Sequence, residues 1–366
     1  MKIGILTFHR AHNYGAVLQC YALKETLRAI GHDAYVIDYR QPDIEKIYSF
    51  RPLFGIRSFL KSILNGKFSY VSDHISLNRK RAEVASKKRC IFEQFQNEHL
   101  SLSAVNAKTI PSDFDAYVIG SDMVWSDDCM LGHFEPYYLG EFKHKKTAKV
   151  IGYAISGSLA SFDKLASKDH FAFLKNFTAC SFREKTLAEI VEKQIGKEVQ
   201  KCIDPTLLTE RKLWNSILNN EWKERKRYIL LYYLRLKADE RLCINRKAEK
   251  YAQEHGYDIV YIDMSATANP ITVQDFVSSI CYAQHVITDS FHGIIFSMIF
   301  HRSFQAIRMN DSHDTRYVDI LQKLQISNTI FPKDLEIKLL DIDYEKVDRS
   351  ITEYRSSSLE FLHKNL

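Results

Sequence analysis

Polar side chains gather at five points where a strand-like run gives way to a loop or a helix. The first group is His9, Arg10, His12, Asn13, Tyr14 and Gly15. The second is Gly120-Ser121-Asp122, with Trp125 close behind. Ser181-Phe182-Arg183-Glu184 and Ile203-Asp204-Pro205-Thr206 follow, and the fifth is Thr288-Asp289-Ser290-Phe291-His292-Gly293. Open parallel sheets bind ligands beyond the carboxyl ends of their strands, so these groups are the candidates for chemistry.

The fifth group offers the most. A helix beginning at Phe291 would present unpaired N–H groups and a partial positive charge, which suits phosphate or carboxylate. Gly293 permits close backbone approach, and Ser290 can cap the helix and donate to an anion. His292 can shuttle a proton near neutral pH, or it can simply fill a polar pocket. Arg183 is a fixed cation able to grip an anion with two N–H groups, unless it is spent on Glu184 or another acid. Asp122 reads as a base or as a turn cap. Trp125 reads as a sugar platform or, more simply, as core. Asp204 before Pro205 is most simply a turn former. Asn13-Tyr14-Gly15 is a tight turn placed where a ligand would enter.

The elements that must position these groups follow a βα rhythm. Lys2–Phe8 has strand length, Ala16–Ile30 has apolar residues at helical spacing, and Gly31 ends that helix. Ala34–Asp38 is the next strand. Alternation resumes at Ala116–Gly120 and runs through Val150–Ser156, Thr178–Phe182 and Gln200–Ile203. It starts afresh at Tyr228–Leu234, after the charged stretch Glu221–Arg227. This predicts an α/β protein of two Rossmann-like halves, 1–205 and 206–340, and a helical segment over 341–366. Residues 43–110 break the rhythm and read as a helical insertion with a basic cluster at Arg79, Lys80, Arg81, Lys87, Lys88 and Arg89. That cluster is a solvated helix face or a contact for anionic lipid or a polyanionic acceptor.

Composition narrows the class. With 45% hydrophobic and 26% charged residues, the 366-residue chain is neither disordered nor fibrous. Lys plus Arg exceed Asp plus Glu by 51 − 45, a net +6, too little for a dedicated nucleic-acid binder. The longest apolar run, Ile294–Phe300, falls far short of a membrane span. Met1–Phe8 reads as a strand rather than a leader, and seven cysteines without a C-x-x-C pair suit a reduced, cytoplasmic protein. No G-x-G-x-x-G follows a strand, and Gly152 and Gly157 have phosphate-loop spacing without the Lys-Ser/Thr that must follow. H-E-x-x-H and zinc spacings do not occur, so no metal or cofactor is expected.

Six motifs, taken in order, resemble the polysaccharide pyruvyl transferase family. They are His12-Asn13-Tyr14-Gly15-Ala16-Val17-Leu18-Gln19, Gly120-Ser121-Asp122 with Trp125, Ser181-Phe182-Arg183-Glu184-Lys185, Asp204-Pro205-Thr206-Leu207-Leu208, Tyr228-Ile229-Leu230, and Asp289-Ser290-Phe291-His292-Gly293 with Phe296-Ser297. The resemblance implies a glycosyltransferase-B-like pair of domains facing across a cleft. It also implies transfer of pyruvate from phosphoenolpyruvate onto two hydroxyls of a sugar, as a cyclic ketal, on an acceptor that is either free or lipid-linked. Arg183 and His292 match donor-associated positions, with His292 as acid and Asp122 or Asp289 as base. Substrate contacts would come from Ser290, Gly293, Asn13, Tyr14, Gly15 and Trp125. One departure stands out: the family often has Arg-Leu-His-Gly where this chain has Ser290-Phe291-His292-Gly293. Arg302, Arg308 or Arg316 would have to restore that charge. The rivals are a sugar-nucleotide glycosyltransferase on the same fold and a non-catalytic sugar-binding subunit.

Overall fold

The computed structural model describes residues 1–52 and 68–366. Among these, the strands form two wholly parallel sheets. Apolar runs of four to seven residues, buried on both faces, make β1 (Lys2–Leu6), β2 (Asp33–Tyr39), β4 (Ala116–Ile119) and β5 (Lys149–Ile155). With β3 (Leu102–Ala107), β6 (Ala179–Phe182) and β7 (Gln200–Lys201) they give the order β3-β2-β1-β4-β5-β6-β7. The second sheet is β12-β11-β10-β8-β9, built from β8 (Tyr228–Tyr233), β9 (Asp258–Asp263), β10 (His285–Thr288), β11 (Ser303–Ile307) and β12 (Ile330–Phe331). The chain thus leaves one sheet and opens the other between Lys201 and Tyr228, giving the paired Rossmann-like architecture expected. No helix among the described residues is long and apolar enough to cross a membrane.

The 43–110 stretch is not helical throughout. Pro42–Tyr48 is α2 and Phe68–His99 is α3, but β3 pairs with β2 at the sheet edge. Ser103 and Asn106 interrupt its apolar pattern, which an edge strand tolerates because only one side is paired. The part of the expected insertion at 53–67 lies outside the described residues.

The helix α1 (Tyr14–Ala29) starts at Asn13, whose Oδ1 accepts the N–H groups of Gly15 (2.9 Å) and Ala16 (3.3 Å). Its first turn packs against the other half of the molecule. The Tyr14 ring lies 4.4 Å from Phe276 of α9 (Val273–Cys281) at 7°, and its hydroxyl donates to the Ile271 carbonyl at 2.9 Å. Trp214, beyond the short helix α6 (Pro205–Leu208), meets Phe296 of α10 (Phe291–Ile299) edge-on at 4.7 Å. One apolar cluster therefore runs from α1 into the second sheet. The last helix, Tyr344–Asn365, crosses back to the first half. Its Ser358 hydroxyl accepts the Ile203 N–H at 3.0 Å, and Lys149 donates to the Leu366 carbonyl at 2.8 Å.

Tyr14→Ala should lower unfolding stability by about 3–5 kcal/mol, the cost of an aromatic cavity. Tyr14→Phe, which only strands the Ile271 carbonyl, should cost about 1 kcal/mol. Urea unfolding followed separately by near-ultraviolet and far-ultraviolet dichroism checks both, and equal midpoints for the two variants would contradict the stacked interface.

Candidate functional site

The site begins where the first turns of α1 and α10 meet. Helix α10 is apolar on all sides and buried from Phe291 to Met298, so its direction is set by packing rather than by solvent. Ser290 caps it through Oγ to the Gly293 N–H at 3.3 Å. The N–H groups of Phe291 and His292 have no acceptor among the described residues. His292, 8% exposed, lies against Gly15: a Cβ there would stand 1.9 Å from His292 Nδ1. Glycine is therefore required at 15 for the two motifs to touch. On the other side of the ring, Nε2 is buried without a hydrogen-bond partner and sits 3.8 Å from Asp204 Oδ2.

Asp204 belongs to a buried ionic cage centred on Arg183. The Arg183 Nε donates to Glu184 Oε1 (2.9 Å), Nη1 to Asp204 Oδ2 (2.7 Å) and Nη2 to Ser156 Oγ (2.9 Å). Its guanidinium carbon lies 4.5 Å from the Phe291 ring centroid. Burial works against the Arg183 charge, but Glu184 and Asp204 outweigh it and hold its pKa raised. Burial also opposes ionisation of Asp204, yet the His292 contact and the Arg183 charge hold that carboxyl well below the usual carboxylate range. For Glu184 burial prevails and its pKa is raised, with Oε2 left unpartnered. Two of the five guanidinium N–H groups remain free for another acceptor.

Arg316, on α11 (Thr315–Lys323), is the second cation here. It is half-buried, donates Nε to the His313 carbonyl at 3.2 Å, and has no carboxylate within 4 Å among the described residues. Burial and the neighbouring Arg183 charge push its pKa down. Arg183 and Arg316 line one cavity of about 330 Å³ with Asp204, Phe291, Lys323 and Tyr354. The half-buried Asp122 carboxylate acts on both guanidiniums and makes no hydrogen bond of its own among the described residues. Its backbone is tied down at φ +75°, its carbonyl accepting the Val124 and Ser156 N–H groups.

Several expected contacts are spent elsewhere. Trp125 is fully buried, its indole donating to the Tyr138 carbonyl and its faces covered by Phe162, Phe173 and Phe182, so no sugar can stack on it. Tyr14 is equally buried, and Asn13 Oδ1 is used in capping α1. The Asp289 carboxylate accepts the N–H groups of Leu234, Arg235 and Leu236 at 2.6–2.9 Å, which pins the loop after β8 and removes it as a base. Gly293 is needed for packing, since a Cβ would meet Thr288 Oγ1 at 2.8 Å; the close approach there is to the sheet, not to a ligand. Conversely, Glu184 and Asp204 turn out to be the partners of Arg183. Lys323 and Tyr354 were missed because they lie in no motif and reach the cavity from separate helices.

The cage sets a pH dependence. A carboxyl depressed in the native state contributes stability that is complete above about pH 3.9 and is lost as pH falls through its lower native value. Asp204→Asn leaves Arg183 with Glu184 alone and should cost about 3–5 kcal/mol at pH 7. Its stability gap from the wild type, measured by urea unfolding, should narrow below about pH 4. A gap independent of pH would contradict the ionised pair.

The sequence model of the polysaccharide pyruvyl transferase family matches residues 13–311. No curated protein matches the chain in sequence. Among solved structures it is similar to the UDP-GlcNAc 2-epimerase of Methanocaldococcus jannaschii, at 10% identity and a TM-score of 0.46 over 96% of this chain and 92% of that one. It is also similar to the glycosyltransferase SnogD of Streptomyces nogalater, at 10% identity and a TM-score of 0.42 over 100% of both chains. The E. coli heptosyltransferase WaaC stands at 11% identity and 0.35, again over 100% of both. Apart from His12, the family match takes in all six motifs, those forming the Arg183 cage and the Gly15–His292 contact among them. The chain therefore belongs to the polysaccharide pyruvyl transferase family, as a transferase acting on a sugar of a polysaccharide.

Proposed function

We propose that the chain transfers pyruvate from phosphoenolpyruvate onto two hydroxyls of one sugar in a surface-polysaccharide precursor, closing a cyclic ketal. The observation that carries this reading is Arg316. It is a cation without a carboxylate partner among the described residues, in one cavity with Arg183, beside the free N–H groups of Phe291 and His292. A donor bearing a phosphate and a carboxylate needs such an arrangement of fixed charges and N–H donors. Arg316 then replaces the arginine that the family often carries where this chain has Ser290. Arg302 is committed to the Phe300 and Ala283 carbonyls, and Arg308 lines a separate cavity.

In this reading the donor's methylene carbon takes a proton and its C2 becomes electrophilic. One sugar hydroxyl adds to C2, the C2–O bond to phosphate breaks, and the second hydroxyl adds to the same carbon. Two hydroxyl protons are released; they balance the one taken up by the methylene carbon and the one carried off by hydrogen phosphate. His292 is the acid, through its buried Nε2, 3.8 Å from the Asp204 carboxylate, and Asp122 is the base. Ser290 holds the helix start and Gly15 the ring. The reaction runs on the cytoplasmic side, with the exposed bases of α3, such as Arg79 and Lys80, facing an anionic surface.

Arg316→Ala should raise the KM for phosphoenolpyruvate about 10–100-fold, the worth of a charged hydrogen bond, with a smaller change in kcat. Arg308→Ala should leave both unchanged. Phosphate release and acceptor mass provide the readouts, and nucleoside diphosphate release instead would overturn the donor assignment. His292→Asn should lower turnover about 10²–10⁴-fold while changing donor KM less. Near-normal turnover across pH would make His292 a packing residue.

A further inference from the structure

We propose that Asp319 is a positioning residue of the anion site, and that its bond across the seam sets the spacing of Arg183 and Arg316. Asp319 lies on α11, in the second half of the molecule, one helical turn after Arg316. Its Oδ2 accepts the N–H of Lys185 at 3.0 Å, and the Thr186 N–H bonds to the same carboxylate. These two residues open α5 (Lys185–Ile195), in the first half, and Lys185 follows Arg183 by two residues. One carboxylate thus ties together the two segments that carry the cations, close to the arginine on each side.

The bond replaces a cap that α5 does not make for itself. Glu184 stands at the N-cap position, but its Oε1 accepts from Arg183 Nε and Ser156 Oγ, both at 2.9 Å, and its side chain makes no cap bond. The first-turn N–H groups and the partial positive charge of the helix are therefore met by a carboxylate 134 residues beyond Lys185. The Lys185 ammonium pairs instead with Glu189 at 3.6 Å. Such a tie matters because Arg183 and Arg316 line one cavity and repel each other, burial and the Arg183 charge both lowering the Arg316 pKa. Like charges facing one cavity move apart unless the elements bearing them are held. Arg316 itself reaches the first half through Nη1 to Met123 Sδ at 3.4 Å, a weak acceptor, so the stronger tie is Asp319. The spacing governs how tightly an anion is gripped between the two guanidiniums; that this anion is phosphoenolpyruvate rests on the proposed function.

Calorimetric titration of the whole protein with inorganic phosphate reads the cation pair whatever the donor. Asp319→Ala should weaken phosphate binding about tenfold, whereas Asp319→Asn, whose amide oxygen still caps α5, should stay within about threefold of the wild type. In the Arg316→Ala background, Asp319→Ala should add less than about twofold, because one of the two charges it spaces is gone. Glu189→Ala should change nothing. With phosphoenolpyruvate as substrate, the loss in Asp319→Ala should fall on KM, with kcat within about twofold. No phosphate binding by the wild type, unchanged affinity in Asp319→Ala, an equal loss in Asp319→Asn, or a full further loss in the Arg316→Ala background would overturn the assignment. A protein that binds phosphate in the expected pattern without turning over phosphoenolpyruvate would refute the proposed donor and leave Asp319 in its role.

Discussion

Everything at the site depends on one steric constraint, the contact of the His292 ring with the first turn of α1. No side chain but hydrogen fits at position 15, since a Cβ would overlap the imidazole at 1.9 Å. That contact brings the N-terminus of α10 up to the N-terminus of α1 and places Asp204 behind the same ring at 3.8 Å. It is supported on either side by buried aromatic packing, Tyr14 on Phe276 and Trp214 on Phe296. The two halves are therefore joined by close-packed apolar surface, with the polar groups gathered at the seam.

The distribution of charge at the seam follows from burial. A guanidinium as buried as Arg183 is tolerable only with paired acids, and it has two, one from its own strand end and one from the strand beside it. Those acids pair with its charge, whereas Arg316, in the same cavity, has no carboxylate within 4 Å among the described residues.

Local signals made the fold largely legible. Short apolar runs, the caps at Asn13 and Ser290, and the helix-ending Gly31 announced parallel strands and crossover helices because these depend on neighbours in sequence. The strand Leu102–Ala107 escaped because Ser103 and Asn106 interrupt its apolar run, and only pairing with β2 makes it a strand. The residue types at the cleft were legible for the same local reason, since they follow strand ends.

Which of those residues are free to act was decided in three dimensions. Asp289 and Asp122 look alike in sequence, each a carboxylate after a strand. One is saturated by three backbone N–H groups and the other makes no hydrogen bond of its own among the described residues. Trp125 is core because four elements close over it, and Arg183 is caged because Asp204, 21 residues away, comes from the adjacent strand end. The sequence by itself determined the two Rossmann-like halves, the helix caps and the family, through propensity, periodicity and ordered motifs. Only the tertiary structure decided which charges are paired, because pairing depends on distances of a few ångströms between segments that the chain keeps far apart.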